Sequence, residues 1–256
     1  MSRFLTLMRP LVLSRVKAMP FFDQFPEKST DFCQMFGSDV PNIIAEIKYK
    51  SPRGKVYNGD LSTLEIAKSY ADAGARAISI LSEPHYFDGD ALRIKEVHQV
   101  IPDIPILMKD FILSEKQLRQ ARFFGASAAL LIVDFLSKSE LHDLYYCCLS
   151  LNMTPLIEIH DFTGLEIALE LEPRVIGINH RDLKTMTIDR LKAKKLLPYI
   201  PKNIHVVAES GISSSSEMIS LQRLGCHGFL IGSYLMQHND PGVALSRLIQ
   251  GVSHEN

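Results

Sequence analysis

Eight short apolar runs recur along the chain from residue 43 onward, and they limit the possible folds more than any other feature. Successive runs start 34, 28, 23, 26, 21, 30 and 23 residues apart, which is room for a strand, a helix and two loops. The runs are continuously apolar, as strands buried on both faces of a parallel sheet are. They are Ile43–Lys48, Ala77–Ser82, Pro105–Lys109, Ala128–Val133, Thr154–Ile159, Val175–Asn179, His205–Ser210 and Gly228–Ser233.

The segments between the runs carry helical patterns. Apolar residues recur at i, i+3 and i+4 in segments such as 64–73 and 118–124. Eight strand–helix units predict a closed (β/α)8 barrel, the TIM-barrel architecture of the α/β class. A doubly wound open sheet is the alternative, but it normally has a GxGxxG turn after its first strand, where this chain has YKSPRG. The predicted helix N-caps are Ser62, Ser114, Asp161 and Ser213.

Residues 1–42 lie before the repeat and are too apolar for a solvated tail, since they include Phe4, Leu11, Phe22 and Phe32. We expect this N-terminal helical extension to form one or two helices packed on the barrel of residues 43–256. A chain of 256 residues is long enough for one such barrel. The sequence therefore predicts a single domain.

Composition predicts a neutral cytoplasmic protein. The 28 Lys and Arg residues balance 29 Asp and Glu residues, so the chain lacks the basic excess with which nucleic-acid and membrane-surface proteins neutralise phosphates. No stretch of about 18 apolar residues predicts a membrane span. The four cysteines lack the density of a disulfide scaffold, which indicates a reducing compartment.

Polar side chains stand at the carboxyl ends of five predicted strands, where barrels of this kind place their chemistry. Glu46 and Lys48 are two residues apart and so point to one face, above Ile44. Each group alone fits a structural ion pair equally well. Together they favour a catalytic mouth, because buried charges are costly unless paired and paired charges tune acids and bases. The group comprises Glu46, Lys48, Lys109, Glu158, Asn179, Glu209 and Ser210.

Glycines and serines after the last two predicted strands indicate an anion site. Ser210 and Gly211 follow the seventh strand, and Gly232 and Ser233 follow the eighth, where such barrels commonly hold phosphate. Lys48 and Ser51 of the first loop would add a cation and a hydroxyl group.

Other catalytic motifs are missing from the sequence. The nine histidines form no HxH or HxxxH pair, and the cysteines lack metal-ligand spacing, so we predict no metal site. The chain has neither a GxSxG elbow nor a Walker A motif.

Segments from every predicted strand region also match the motifs of one enzyme family. Residues 44–52 (IAEIKYKSP) and 105–111 (PILMKDF) are the most specific, with further matches at 80–89, 155–160, 176–183, 208–212 and 228–233. Over about residues 43–250 the chain resembles indole-3-glycerol phosphate synthase. The resemblance implies that 1-(2-carboxyphenylamino)-1-deoxyribulose 5-phosphate is converted to indole-3-glycerol phosphate with loss of CO2 and water and without a cofactor.

The resemblance also implies roles for individual residues. Lys109 would protonate the substrate's carbonyl oxygen while the aromatic carbon attacks, and Glu158 would be the other acid–base partner. Lys48, balanced by Glu46, would contact the carboxylate or assist dehydration, and the division of work between the two lysines is open. Asn179, Glu209 and Ser210 would orient the substrate, and Phe111 would line the anthranilate pocket. Arg181 is a further substrate-binding residue, and the residues that would hold the phosphate are Ser51, Gly211, Gly232 and Ser233.

The chain departs from the family pattern in three places. Residues 1–42 look short and show no basic helical segment. Asp90 stands where a small hydroxyl residue is common, and His180 replaces a more usual Asn or Ser. None of these departures removes a proposed catalytic group.

Two other functions remain open. Another phosphosugar barrel isomerase would need a Cys/Asp acid–base pair at strand ends, and neither Cys147 nor Cys226 stands at one. A non-catalytic metabolite-binding barrel would need only the phosphate cradle, yet both lysines and both key glutamates are present. The expected partner is a small phosphorylated molecule, with no nucleic acid or membrane, and the expected state is a monomer or weak oligomer.

Overall fold

The computed structural model describes residues 2–26, 30–37 and 41–253, and eight parallel strands within it form a closed barrel. Strand β1 pairs with both β2 and β8, which closes the sheet on itself. The chain is therefore the predicted (β/α)8 barrel. The barrel strands are β1 (Ile43–Ile47), β2 (Ala77–Leu81), β3 (Ile106–Lys109), β4 (Ala128–Ile132), β5 (Thr154–Ile159), β6 (Val175–Asn179), β7 (His205–Glu209) and β8 (Gly228–Ile231).

Helices alternate with the strands. A short hairpin follows β1, in which Lys50–Ser51 pairs antiparallel with Gly54–Lys55. Short 3-10 turns span Phe32–Phe36, Val133–Phe135 and Leu197–Tyr199. The helices of the described residues are α1 (Arg3–Ala18), α2 (Thr63–Asp72), α3 (Pro84–Phe87), α4 (Leu92–Val100), α5 (Glu115–Phe123), α6 (Lys138–Ser150), α7 (Phe162–Leu169), α8 (Lys192–Leu196), α9 (Ser215–Leu224), α10 (Ser233–Met236) and α11 (Pro241–Ser253).

The predicted helix starts are mostly confirmed. Side chains of Ser62, Ser114 and Asp161 accept hydrogen bonds from first-turn N–H groups, which have no partner inside the helix. The prediction for Ser213 is wrong by one residue, because Ser214 caps α9. The last predicted strand is also shorter than expected.

Both faces of the barrel strands are buried, which explains their continuous apolarity. Ile44, Leu107, Leu156 and Leu230 belong to a cluster that fills the barrel interior. Residues between them along the strands, such as Ala45, pack outward in a second cluster with the helices. Side chains of one parity therefore run up the interior and end at the mouth.

The N-terminal segment packs against both ends of the barrel interior. Leu5, Met8 and Val12 of α1 are at most 2% exposed and join the interior cluster. At the other end, the Phe36 ring stacks on that of His205, the first residue of β7, at a centroid distance of 4.2 Å.

The expectation of no basic helical segment in this region is wrong. Helix α1 carries Arg9 and Arg15, which pair with Glu140 on α6 and with Asp110 after β3. Its helical pattern is interrupted by Pro10, which weakens the sequence signal. Within the described residues, no helix is both long and apolar enough to cross a membrane.

Candidate active site

A cavity of about 730 Å³ opens at the carboxyl ends of the barrel strands. Every predicted site residue lies on its wall, although these residues are spread over 188 positions of sequence. The parity of each strand and the closure of the barrel bring them together. They are Glu46, Lys48, Ser51, Lys109, Phe111, Glu158, Asn179, Arg181, Glu209, Ser210, Gly211, Gly232 and Ser233.

Glu46 and Lys48 form an ion pair at the end of β1. Lys48 Nζ lies 2.6 Å from Glu46 Oε1, and the two side chains are 13% and 3% exposed respectively. Glu46 lies two residues and Lys48 four residues after Ile44, which faces the barrel interior, so both side chains lie on the same face and reach the mouth. The carboxylate offsets the charge that Lys48 brings into the cavity.

Lys109 lies between two buried carboxylates. Its Nζ is 2.7 Å from Glu209 Oε2 and 3.7 Å from Glu158 Oε2. Burial alone would lower the pKa of Lys109, but the charges of Glu209, Glu158 and Glu46 outweigh it and raise the pKa above its ordinary value. Lys109 is therefore an ammonium at neutral pH and holds a proton it can donate.

The two carboxylates beside Lys109 titrate differently. Burial and the charge of Glu158 raise the pKa of Glu209, although Lys109 works against this. Burial would also raise the pKa of Glu158, but contacts with His160 and Lys109 lower it. Carboxylates whose pKa values are pushed apart can take opposite acid and base roles.

His160 and Asp134 belong to this charge network, and the sequence analysis missed both. His160 Nε2 lies 3.2 Å from Glu158 Oε1, and its Nδ1 lies 3.2 Å from Asp134 Oδ2. Burial lowers the pKa of His160, but the two carboxylates outweigh it and raise that pKa to about 9. The available signal was the two-residue step from Glu158 to His160, which puts both on one face.

The turns after β7 and β8 form the opposite wall. Ser210 and Gly211 have left-handed backbones, with φ of 66° and 80°. A Cβ at Gly211 would press on Ile188, so this turn needs glycine for space as well as for conformation. The short helix α10 begins at Ser233, and barrels commonly bind phosphate at such a helix start.

Two glycines give the buried glutamates their space. A Cβ at Gly232 would collide with Glu46 Oε1, and one at Gly177 would collide with Glu209 Oε1. The carboxylates therefore lie against the backbone of these glycines. Each occupies the volume that a side chain at the glycine position would fill.

A cationic rim lies beside these turns. Arg181 and Arg53 both donate to the Met186 carbonyl oxygen, at 3.1 and 2.7 Å. Ser51 accepts a hydrogen bond from the Arg53 backbone N–H at 3.2 Å. The hairpin after β1 is thus joined to the segment after β6, and sequence reasoning missed Arg53 because only the fold makes the two loops meet.

Helix α1 and aromatic rings close the remaining side. The ring of Phe111 packs on those of Phe4 and Phe135, at centroid distances of 5.8 and 5.3 Å. Arg15 donates to both oxygens of Asp110 at 2.8 Å. Burial raises the pKa of Asp110 to about 6, and Arg15 limits that rise.

A family model described as indole-3-glycerol phosphate synthase matches residues 17–248. The chain belongs to the indole-3-glycerol phosphate synthase family. Proteins of that name from Campylobacter fetus and Aliarcobacter butzleri are 45% and 38% identical to it. These alignments cover 77% and 86% of this chain, and 76% and 84% of the two relatives.

Solved structures show the same fold at much lower identity. The 3-hexulose-6-phosphate synthase from Salmonella typhimurium is 11% identical, with a TM-score of 0.67 over 84% of this chain and 100% of that one. Thiamine phosphate pyrophosphorylase from Pyrococcus furiosus is 13% identical, with a TM-score of 0.60 over 84% and 96%. At these identities the likeness concerns the barrel alone.

Two departures from the indole-3-glycerol phosphate synthase pattern have structural explanations. Asp90 Oδ1 accepts a hydrogen bond from the Leu92 N–H at 2.9 Å, at the start of α4, as a small hydroxyl residue would. His180 Nδ1–H donates to the Ser210 carbonyl oxygen at 3.1 Å. Both residues support loops that border the mouth.

Proposed function

We propose that the chain catalyses the reaction for which its family is named. In that reaction, 1-(2-carboxyphenylamino)-1-deoxyribulose 5-phosphate loses CO2 and water to give indole-3-glycerol phosphate. The observation that carries the proposal is the Lys109 ammonium, 2.7 Å from Glu209 and 3.7 Å from Glu158 in a family barrel.

Ring closure is the first step of the proposed reaction. The aromatic carbon that bears the carboxylate attacks the ketone carbon, and the carbonyl electron pair moves to oxygen. Lys109 neutralises the charge on that oxygen and gives it a proton. Loss of CO2 then returns the bonding pair to the ring and restores its aromaticity.

Loss of water completes the indole. The new hydroxyl group takes a second proton and leaves as water, while a base removes one proton from the forming ring. Glu158, whose pKa is lowered, fits the base, and Lys109 and Lys48 are the candidate acids at the hydroxyl group.

The other wall residues bind and orient the substrate in this proposal. Asn179, Glu209 and Ser210 orient it, and Phe111 packs on its anthranilate ring. Holding the flexible chain by its phosphate supplies binding energy that fixes the reacting carbons close together. The phosphate-binding group is Ser51, Gly211, Gly232 and Ser233, and Arg181 on the same wall is a further substrate-binding residue.

We also propose that the enzyme works in the cytoplasm as a monomer or weak oligomer, on this small phosphorylated molecule. Cys33, Cys147, Cys148 and Cys226 are free thiols, which supports a reducing compartment. Size-exclusion chromatography with light scattering at micromolar concentration should give the monomer mass of 28.8 kDa. A stable larger species would contradict this part of the proposal.

Indole fluorescence tests the activity directly. The chain contains no tryptophan, so indole emission that grows on incubation with the carboxyphenylamino substrate comes from product. We expect such growth with the purified protein and none with the substrate alone. A folded protein that gives no signal at micromolar concentration would overturn the proposal.

A further inference from the structure

A histidine and an aspartate stand behind Glu158 because of the register between β4 and β5. Ile132 pairs with Glu158 in that ladder. Asp134 and His160 each lie two residues further on, so the same register makes them neighbours across the two strand ends. Asp134 is on the 3-10 turn after β4, and its side chain is 35% exposed.

His160 connects this aspartate to the reacting groups without reaching the cavity. Its side chain is 6% exposed, and it is not part of the cavity wall. Each ring nitrogen lies 3.2 Å from a carboxylate oxygen, but neither contact has the angles of a hydrogen bond. His160 therefore acts on Glu158 through charge and packing.

The carboxylates around Glu158 outnumber the lysines beside them. Glu158 and Glu209 share one ammonium, that of Lys109, while Lys48 is paired with Glu46. An imidazolium at His160 puts a second cation beside Glu158; it contacts Glu158 and Asp134, and not Glu209. The groups that act on Glu158 or His160 are Lys109, Glu209, Asn179, Asp134 and, at longer range, Lys192. Glu46 acts on Lys109 and Glu209, and Lys184 acts on Asp134.

We propose that His160, held by Asp134, is a positioning residue that keeps Glu158 ionised and directed at Lys109. In the proposed reaction Glu158 is the base, so His160 acts on the carboxylate that accepts a proton. The inference rests on the proposed function and adds the two residues that hold Glu158 in its ionised form.

The pH dependence of kcat/KM tests the assignment. His160→Gln removes one of the charges that offset the burial of Glu158, so the pKa of Glu158 should rise. The acidic limb of the kcat/KM profile should then move up by about one pH unit, which lowers the rate about tenfold at pH values below the limb. KM should stay within about twofold, because His160 does not line the cavity. A loss of rate that is uniform across pH would overturn the proposal, since a merely structural role gives that result.

A matched control is available on the surface. His142 Nδ1 lies 3.5 Å from Asp143 Oδ1 on α6, with side chains 61% and 78% exposed. His142→Gln removes the same pair of residue types away from the mouth and should leave the profile unchanged. If the wild-type protein has no activity on the substrate, the proposed function fails. If the wild-type protein is active and the acidic limb of its kcat/KM profile does not move in His160→Gln, this inference alone is overturned.

Histidine NMR gives a second measurement that does not need activity. His160 should titrate near pH 9 in the wild-type protein. Asp134→Asn removes one of the two carboxylates, so the pKa of His160 should fall by about one unit while the fold is kept at this half-exposed site. A His160 resonance that titrates near pH 6.5 in the wild type, or that does not move in Asp134→Asn, would overturn the proposal.

Discussion

Lys109 is the side chain on which the proposed chemistry depends most. Substitution by Met keeps the length of the side chain and removes the proton donor, so Lys109→Met should lower kcat by at least about a hundredfold. Lys138→Met is the matched control, because Lys138 pairs with Glu170 on the surface with 63% of its side chain exposed. The kcat of both variants is measured from the growth of indole product fluorescence. A wild-type kcat in Lys109→Met would show that another group donates the proton.

His160 should also make stability depend on pH. Its pKa is about 9 in the folded protein and has its ordinary value of 6.5 when unfolded, so the folded state binds the proton more tightly. The resulting stabilisation, roughly 3 kcal/mol at most, is fully present below pH 6.5 and is lost as pH rises through 9. Urea unfolding at pH 7 and pH 9 should show a smaller difference for His160→Gln than for the wild type; equal differences would contradict the shift.

Strand parity explains which site residues could be predicted from sequence. Glu46, Lys48 and Lys109 follow apolar residues in steps of two, so their face is known once the strand is. The pairing of His160 with Asp134 depends on the register between two strands that are 26 residues apart at their starts, and no pattern in a single sequence fixes that register. The contact of Arg53 with Met186 joins two loops that only the closed barrel brings together, so a single sequence does not predict it either.

At the scale of an element, helix α1 is fixed to the mouth by the pair Arg15–Asp110. Asp110 is 3% exposed, so Arg15→Met leaves a buried carboxylate without its cation and should lower the free energy of unfolding by about 3 kcal/mol. Arg15→Met combined with Asp110→Asn removes both charges and should recover most of the loss. Urea denaturation of the two variants checks this, and equal losses would show that the ion pair does not couple α1 to β3.

The elements themselves divide into those with a strong periodic signal and those without one. The strands were predicted to within two residues because burial on both faces makes each one continuously apolar. The hairpin after β1 and the one-turn helices α3 and α10 are too short to show a period, so they were missed. The apolar run Gly228–Ser233 extends two residues past the end of β8 at Ile231, and Ser233 begins α10.

At the scale of the whole molecule, the N-terminal segment completes the hydrophobic interior. A chain that begins at residue 43 would expose the interior residues that Leu5, Met8 and Val12 now cover. We expect this truncated chain to unfold at a lower urea concentration than the full chain, or to aggregate, when both are followed by circular dichroism. An unchanged midpoint would show that residues 43–256 are a unit whose stability does not depend on the extension.

Substitution of Gly177 or Gly232 could displace a buried carboxylate, that of Glu209 or Glu46, without removing it from the protein. A methyl group at either position would displace the neighbouring carboxylate and leave the total charge of the site the same. Substitution of Glu46 or Glu209 by alanine removes reach, charge and hydrogen bonding together. Because Gly232 also belongs to the phosphate-binding group, Gly177→Ala is the cleaner substitution: it separates distance from charge at Glu209, so the tolerance of the reaction to misplacement of an acid could be measured on its own.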